Sequence, residues 1–423
     1  MRSSTWEQTK LGDVVDTQKG FAFKSAWYCD AGRPIVKVSD FTNDSIDSTN
    51  LVCIPETIAT DYLKYELVNG DVVVQTVGSW PTNPASVVGK CVRVPSSTSG
   101  ALLNQNAVKL FPQKNLDRQF LFYLLRNEDF KTYIIGTAQG AASQAAITLG
   151  GIRNYEFELP PIHSQRRIAS TLSTYDELIE NNQRRIRILE EMARSLYREW
   201  FVHFRYPGHE SVPLVNSPLG QIPQGWEVKK LGEIAAVNRA QINIKTAPSE
   251  LHYIDIASVS PGQIDYITTY FFADAPGRAR RIVQHGDILW SCVRPNRRSH
   301  AQVMRPEPDT IASTGFAVLT ATDVPFTFLY CATTTDDFVA YLTNSATGSA
   351  YPAVTAKTFE NAELLVPPKS LLTKFGDITV PMAEQIHILQ RQAANLRRTR
   401  DLLLPRLLSG QVALSTDTVP ATA

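Results

Sequence analysis

The sequence predicts an α/β (α+β) protein built from two mixed modules of one architecture, each followed by a long coiled-coil helix. Three observations lead there. The first is an internal repeat: residues 6–13 (WEQTKLGD) return as 226–233 (WEVKKLGE), Gly70-Asp71-Val72-Val73 returns as Gly286-Asp287-Ile288-Leu289, and Leu159-Pro160-Pro161 returns as Val366-Pro367-Pro368. The second is the alternation, inside each copy, of short β-branched runs with one stretch of helical spacing. The third is a heptad pattern after each double proline. Outside the framework positions the copies diverge almost everywhere, so the scaffold is duplicated while the surfaces it presents are not.

In the first copy, 34–38, 71–77, 85–94, 107–111 and 155–159 are apolar runs bounded by turn residues and read as strands. Residues 119–133 (QFLFYLLRNEDFKTY) carry aromatics and leucines at helical spacing. The second copy keeps the order, with strands at 282–292, 315–319 and 363–366 around a helix at 326–342. After the first Pro-Pro, apolar or small residues recur in alternating steps of four and three: Ile168, Leu172, Tyr175, Ile179, Asn182, Ile186, Leu189, Ala193, Leu196 and Trp200. A shift of 207 residues lands on Phe375, Thr379, Met382, Ile386, Leu389, Ala393, Leu396, Arg400, Leu403 and Leu407. Two such seams without other partners of their length are expected to pack against each other, with the polar Asn182 fixing register. Pro381 lies inside the second run and predicts a kink there or a helix that begins there.

The implied boundaries are 1–160 and 226–367 for the modules, 161–206 and 368–412 for the helices, 207–225 for a linker and 413–423 for a tail. The linker is rich in proline and glycine and reads as extended; the tail is rich in Thr, Ser and Ala and reads as disordered. A length of 423 residues suits two to three domains. With 42 Lys and Arg against 41 Asp and Glu, bulk charge announces no polyanion partner, so any basic surface must be local. The polar start MRSSTWEQTK is not a signal peptide, and no apolar run is long enough for a bilayer; a cytoplasmic location is expected. The five cysteines lack metal-ligand spacing and read as small buried apolar residues.

The string LPPIHSQRRIASTLSTYDELIENNQRRIRILEEMARSLYREWFVHF resembles the central conserved region of type I restriction-modification specificity subunits, and RDLLLPRLLSGQV resembles the end of their second conserved region. GSWPTNPASVVGK and LNQNAVKL, with VRPNRRSHAQV and STGFAVL in the second copy, are similar to strings of target recognition domains in that family. The resemblance covers essentially the whole chain in the right order. It implies a specificity (S) subunit: two target recognition domains related by pseudo-two-fold symmetry, separated by two long antiparallel helices that bind two methyltransferase (M) subunits, with restriction (R) subunits joining in a nuclease complex. It implies no cofactor on this chain, S-adenosylmethionine in the methyltransferase subunits, and ATP and Mg in the restriction subunit. The second helix opens SLLTKFGD where the first has HSQRRIAS, a departure that leaves open whether both ends engage the partner alike.

A helix of about 40 residues is ~60 Å long, and two modules meeting one face of a duplex need half-sites about 34–36 Å apart. Such a helix pair is a ruler, and unlike modules call for an asymmetric bipartite site. Base edges are read by amide and guanidinium groups. Candidates in the first module are Lys19 and Lys24 in QKGFAFK, Gln75, Ser79, Trp80 and Asn83 in QTVGSWPTN, and Gln139, Ser143 and Gln144 in AQGAASQ. In the second, residues 278–298 hold six arginines against one acid, and WSCVRPNRRSH supplies Arg294, Asn296, Arg297, Arg298 and His300. Arg239, Ser349 and Tyr351 join them. The plainer reading of each is a solvated loop residue. Arginines of the first helix, such as Arg166, Arg184 and Arg194, stand among acids and suit solvent or the M subunits.

Catalytic motifs are missing: no G-x-x-x-x-G-K-[ST] loop, no Gly-rich dinucleotide turn, no H-E-x-x-H, and no N/D-P-P-Y/F adenine grip. A DNA-binding adaptor without a methyltransferase partner is the competing reading, which a neighbouring methyltransferase gene would disfavour. A self-sufficient enzyme is the third, and would need activity from the chain alone.

Overall fold

Each repeated Gly-Asp makes the same turn. Gly70 and Gly286 both adopt φ of 85°, a left-handed backbone that favours glycine. The next residue, an aspartate, is buried and folds back on the turn: Asp71 accepts from the Val68 amide at 2.9 Å and Asp287 from the Gln284 amide at 2.8 Å. The neighbourhood of the carboxylate differs between the copies. Asp71 is paired with Lys109 at 3.2 Å, whereas Asp287 accepts from the Thr320 hydroxyl at 2.7 Å, and burial raises its pKa. From the turn runs the central strand of a four-stranded antiparallel sheet. In the first module the order is Val15–Lys19, Ala107–Pro112, Val72–Gln75, Cys91–Arg93; in the second it is Ala235–Val237, Phe316–Ala321, Ile288–Ser291, His300–Gln302.

A second sheet accompanies each, three-stranded in the first module and four-stranded in the second, with one parallel pair in it: Arg33–Val36 beside Leu102–Leu103, and Glu250–Ile254 beside Thr310–Ser313. The first and last strands of each module close it by pairing antiparallel, in the same register: Glu7 faces Leu159 and Glu227 faces Val366. The repeated leucine anchors this closure, Leu11 donating to the Tyr155 carbonyl and Leu231 to that of Ala362, both at 2.8 Å.

The computed structural model describes residues 6–42, 44–81, 86–141, 144–218 and 220–412 and divides into two compact units, Met1–Glu180 with Ala393–Ala423, and Asn181–Gln392. The tail 413–423 lies outside the described residues, as do Asn83 and Ser143. In the first unit the sheet and the helix Arg118–Arg126 share a core with Ile168, Ala169 and Leu172 of the first long helix and Leu404 and Leu407 of the second. In the second unit the core contains Trp200 and Phe201 together with Leu371, Leu372 and Phe375.

The long helices are Ile162–Tyr197, which ends in a π turn at Arg198–Val202, and Lys369–Leu408. None of the seam residues is exposed, and Asn182 is buried. Within each unit the start of one helix meets the end of the other: Asp176 bonds Arg400 in the first, and Phe375 packs on Tyr197 and Trp200 in the second. The pairing is therefore antiparallel.

Several elements differ from expectation. Pro381 does not start the second helix, which begins at Lys369; the proline lies on the exposed face, where the backbone bond it forgoes leaves a carbonyl open to water. The helix expected at 119–133 is two, because Asn127 turns extended and its side chain accepts from the Glu128 amide at 3.0 Å, capping a new helix Glu128–Gly136. Thr335 does the same for Asp336–Ser345, accepting from Phe338 at 3.2 Å. The run 282–292 spans two sheets, since Ala279–Ile282 ends in one and Ile288–Ser291 starts in the other after the Gly286 turn. Of the run 85–94, Cys91–Arg93 is the strand among the described residues, and the run at 71–77 is broken at Thr76 into Val72–Gln75 and Val77–Gly78. The linker is partly ordered rather than simply extended: Leu214–Ser217 pairs with Gly220–Pro223, while the Tyr206 ring just before it packs tilted, 5.5 Å from that of Trp226.

Candidate nucleic-acid interface

In the first module the expected contact loops leave one edge of the large sheet. Lys19 ends its strand opposite Val108 and Gln75 ends its own opposite Ala107, both at the start of the strand between them. Residues 77–78 then pair with Ala145–Ala146, and Ile147 donates to the Thr76 carbonyl at 2.9 Å. Trp80 adds a side-chain stitch, its Nε1 donating to the Ala141 carbonyl at 2.9 Å. Two loops some 60 residues apart in sequence are thus one surface carrying Ser79, Trp80, Gln139 and Gln144.

The second module is stitched at the equivalent place. Val293 bridges Ala353, as Val77 pairs with Ala146, and Val354 donates to the Cys292 carbonyl at 2.9 Å, as Ile147 does to Thr76. This gathers Arg294, Asn296, Arg297, Ser349 and Tyr351. Arg294 has φ of 52°, donates to the Ala350 carbonyl at 3.2 Å and lies 4.8 Å from the centre of the exposed Tyr351 ring. Arg297 and Asn296 are not buried; Arg298, with φ of 55°, is ion-paired to Asp336. Arg239 is bonded to Gln284.

Two of the residues expected in the contact loops lie inside the module. Gln75 is wholly buried, and its amide donates to Val77 and Ser86 carbonyls at 2.9 and 3.2 Å, bracing the turn from within. His300 is 8% exposed, with its ring 4.7 Å from that of Trp290 and 5.6 Å from that of Tyr330. Gln75 ends a strand that is buried on both faces, Val72 and Val74 in one core and Val73 in another, and His300 starts a strand packed against Trp290, so both are enclosed in a way that their polar character disguised.

Burial pushes the His300 pKa down to about 4, helped by the positive charges of Arg194 and Arg298. The folded value lies below the unfolded value of ~6.5, so this residue's contribution to stability is present above pH ~6.5 and lost as pH falls toward 4. His300→Phe keeps a stacked ring and removes the titration. Its loss of stability between those pH values should be smaller than the wild type's by up to ~3 kcal/mol, read by denaturant unfolding across pH; equal acid sensitivity would contradict the buried placement.

Sequence reasoning missed residues that the fold brings to the same edge. Tyr62 and Tyr65 lie 4.5 and 5.4 Å from the Phe21 ring, with the Lys64 ammonium 4.9 Å from Tyr65 and that of Lys24 5.3 Å from Trp27. The aromatic and basic interleaving of DYLKY was the available signal. Gln105 and Asn106 also lie there, Asn106 accepting from the Thr76 amide at 2.8 Å through its carbonyl.

Among the described residues no cluster of His, Cys, Asp or Glu could hold a metal ion, and no helix is long and apolar enough to cross a membrane. The family model described as "Type I restriction modification DNA specificity domain" matches twice, at residues 3–191 and 223–390. The MjaIX type I restriction enzyme specificity subunit of Methanocaldococcus jannaschii is 25% identical over 319 residues, covering 73% of this chain and 72% of that protein. The HindI specificity subunit of Haemophilus influenzae is 20% identical over 379 residues, covering 75% and 81%. The crystal structure of a type I S subunit from M. genitalium shares the fold, with a TM-score of 0.57 at 17% identity, over 95% of this chain and 96% of that one. The chain belongs to the type I restriction-modification DNA specificity family, carries the family's domain twice, and is a specificity subunit rather than a catalytic one.

Proposed function

We propose that each module reads one half of an asymmetric bipartite DNA site, while the helix pair sets the spacer and docks two methyltransferase subunits. One observation carries this reading most directly. The same stitched loop edge occurs in both modules, built on matching backbone bonds but furnished with unlike side chains. Lys19, Lys24, Ser79, Trp80, Gln139 and Gln144 would contact one half-site; Arg239, Arg294, Asn296, Arg297, Arg298, Ser349 and Tyr351 would contact the other. Guanidinium and lysine groups would hold phosphates, and amides and Tyr351 would meet base edges.

The helices supply reach and a docking face. At 36 and 40 residues they are ~54–60 Å long, more than the ~34–36 Å between half-sites one turn apart. Leu178 and Leu402 in the first unit, and Ile188, Met192 and Ile388 in the second, are large apolar side chains of the helices left exposed, a feature suited to protein partners. Methyl transfer then belongs to the M subunits with S-adenosylmethionine, and translocation and cleavage to R subunits with ATP and Mg, where these join, all in the cytoplasm with the DNA. Native mass spectrometry of the chain with its methyltransferase should give two catalytic subunits per chain. A saturated one-to-one complex would overturn the two-site docking.

A further inference from the structure

The second seam has one member that no coiled coil would choose. Arg400 occupies a core position, only 4% exposed, where the first helix has Ala193. Its Nη1 donates to Asp176 of the first helix at 2.5 Å and to Asp44 of the first module at 3.3 Å. Asp176 also accepts from the Tyr123 hydroxyl at 2.5 Å, and Asp44 is ion-paired with Arg126 at 3.7 Å. The Asp44 carbonyl accepts from the Arg93 amide at 3.3 Å, which ties that loop to the large sheet. One guanidinium therefore joins both helices and the module, all within the first unit.

The repeat provides an internal control. The second unit's counterparts of Arg400 and Asp176 are Ala193 and Ala383, so those positions carry no charge there, and that unit's helix-to-module ion pairs lie beside the seam, from the partly exposed Glu384 to Arg305 at 3.0 Å and His285 at 3.6 Å. A buried cluster adds little net stability over an apolar replacement, because desolvation offsets the attraction. What it supplies is a single permitted geometry, since a small shift leaves buried charges unpaired, whereas apolar surfaces slide at little cost. We infer that Arg400, through Asp176 and Asp44, is a positioning residue that locks the first recognition module at one angle on the helix pair and so narrows the spacer length the complex accepts.

This rests on the bipartite reading above. The test uses the full chain complexed with its methyltransferase on duplexes holding both half-sites, with the spacer native or one base pair longer or shorter. Arg400→Leu with Asp176→Leu and Asp44→Asn rebuilds the seam as apolar. Methylation at the altered spacers should rise at least about tenfold relative to the native spacer, as ~1.4 kcal/mol of lost restraint would give, with both half-site sequences unchanged. Arg400→Lys keeps the charge without the planar fork and should relax spacing in the same direction but less; it decides the matter if the triple variant does not fold. Strict spacing in the folded variant, or a change in half-site sequence in place of spacing, overturns the lock. A wild-type complex that methylates no split site defeats the functional reading itself.

Discussion

Replacing Arg294, Arg297 and Arg298 together with alanine should weaken DNA binding and flatten its dependence on salt. Each phosphate neutralised by a cation contributes about 0.9 to the slope of log affinity against log salt, so the triple variant should lose up to ~2.7 from that slope if all three touch phosphate. The three are not equal. Arg297 has no acidic partner among the described residues and should account for a full share. Arg298 already shares its charge with Asp336 and should contribute less. Arg294 is aimed by the Ala350 carbonyl and the Tyr351 ring, and its loss should also disturb Tyr351. Fluorescence anisotropy at several salt concentrations measures the triple variant and the three single ones. An unchanged slope would show that this edge does not face DNA.

The second large effect is geometric. Four residues inserted in the first helix beside Asn182 add ~6 Å of length and rotate the downstream half of the helix by about 400°. That rise is nearly two base-pair steps of ~3.4 Å, and it slides the seam residues beyond the insertion past their partners. Methylation at the native spacer should collapse, and any activity that survives should move to a different spacer with both half-site sequences preserved. Retention of the native spacer would mean that the helix is not the ruler.

The framework could be read directly because duplication exposes it: a motif that returns 207 to 220 residues later marks positions that backbone geometry requires, such as the left-handed Gly70 and Gly286. The heptads were legible because a seam repeats along the chain, and even the out-of-place Arg400 falls on its beat. Helix breaks at Asn127 and Thr335 were not, although both are N-cap residue types, because apolar spacing continues through them. Loop sites were least legible. Polarity drew attention to Gln75 and His300, which the sheet turns inward to brace a turn and to stack on Trp290. Conversely Tyr62, Tyr65 and Lys64 reach the edge only through the fold that carries the turn Thr60–Tyr65 beside Phe21.

The most direct test maps every methylated adenine left by the chain with its methyltransferase on random-sequence DNA. The expected result is one asymmetric site: two unlike half-sites separated by a constant number of unread base pairs, with substitution of the residue 294–298 edge altering only one half. A single uninterrupted site, or two identical halves, would contradict it.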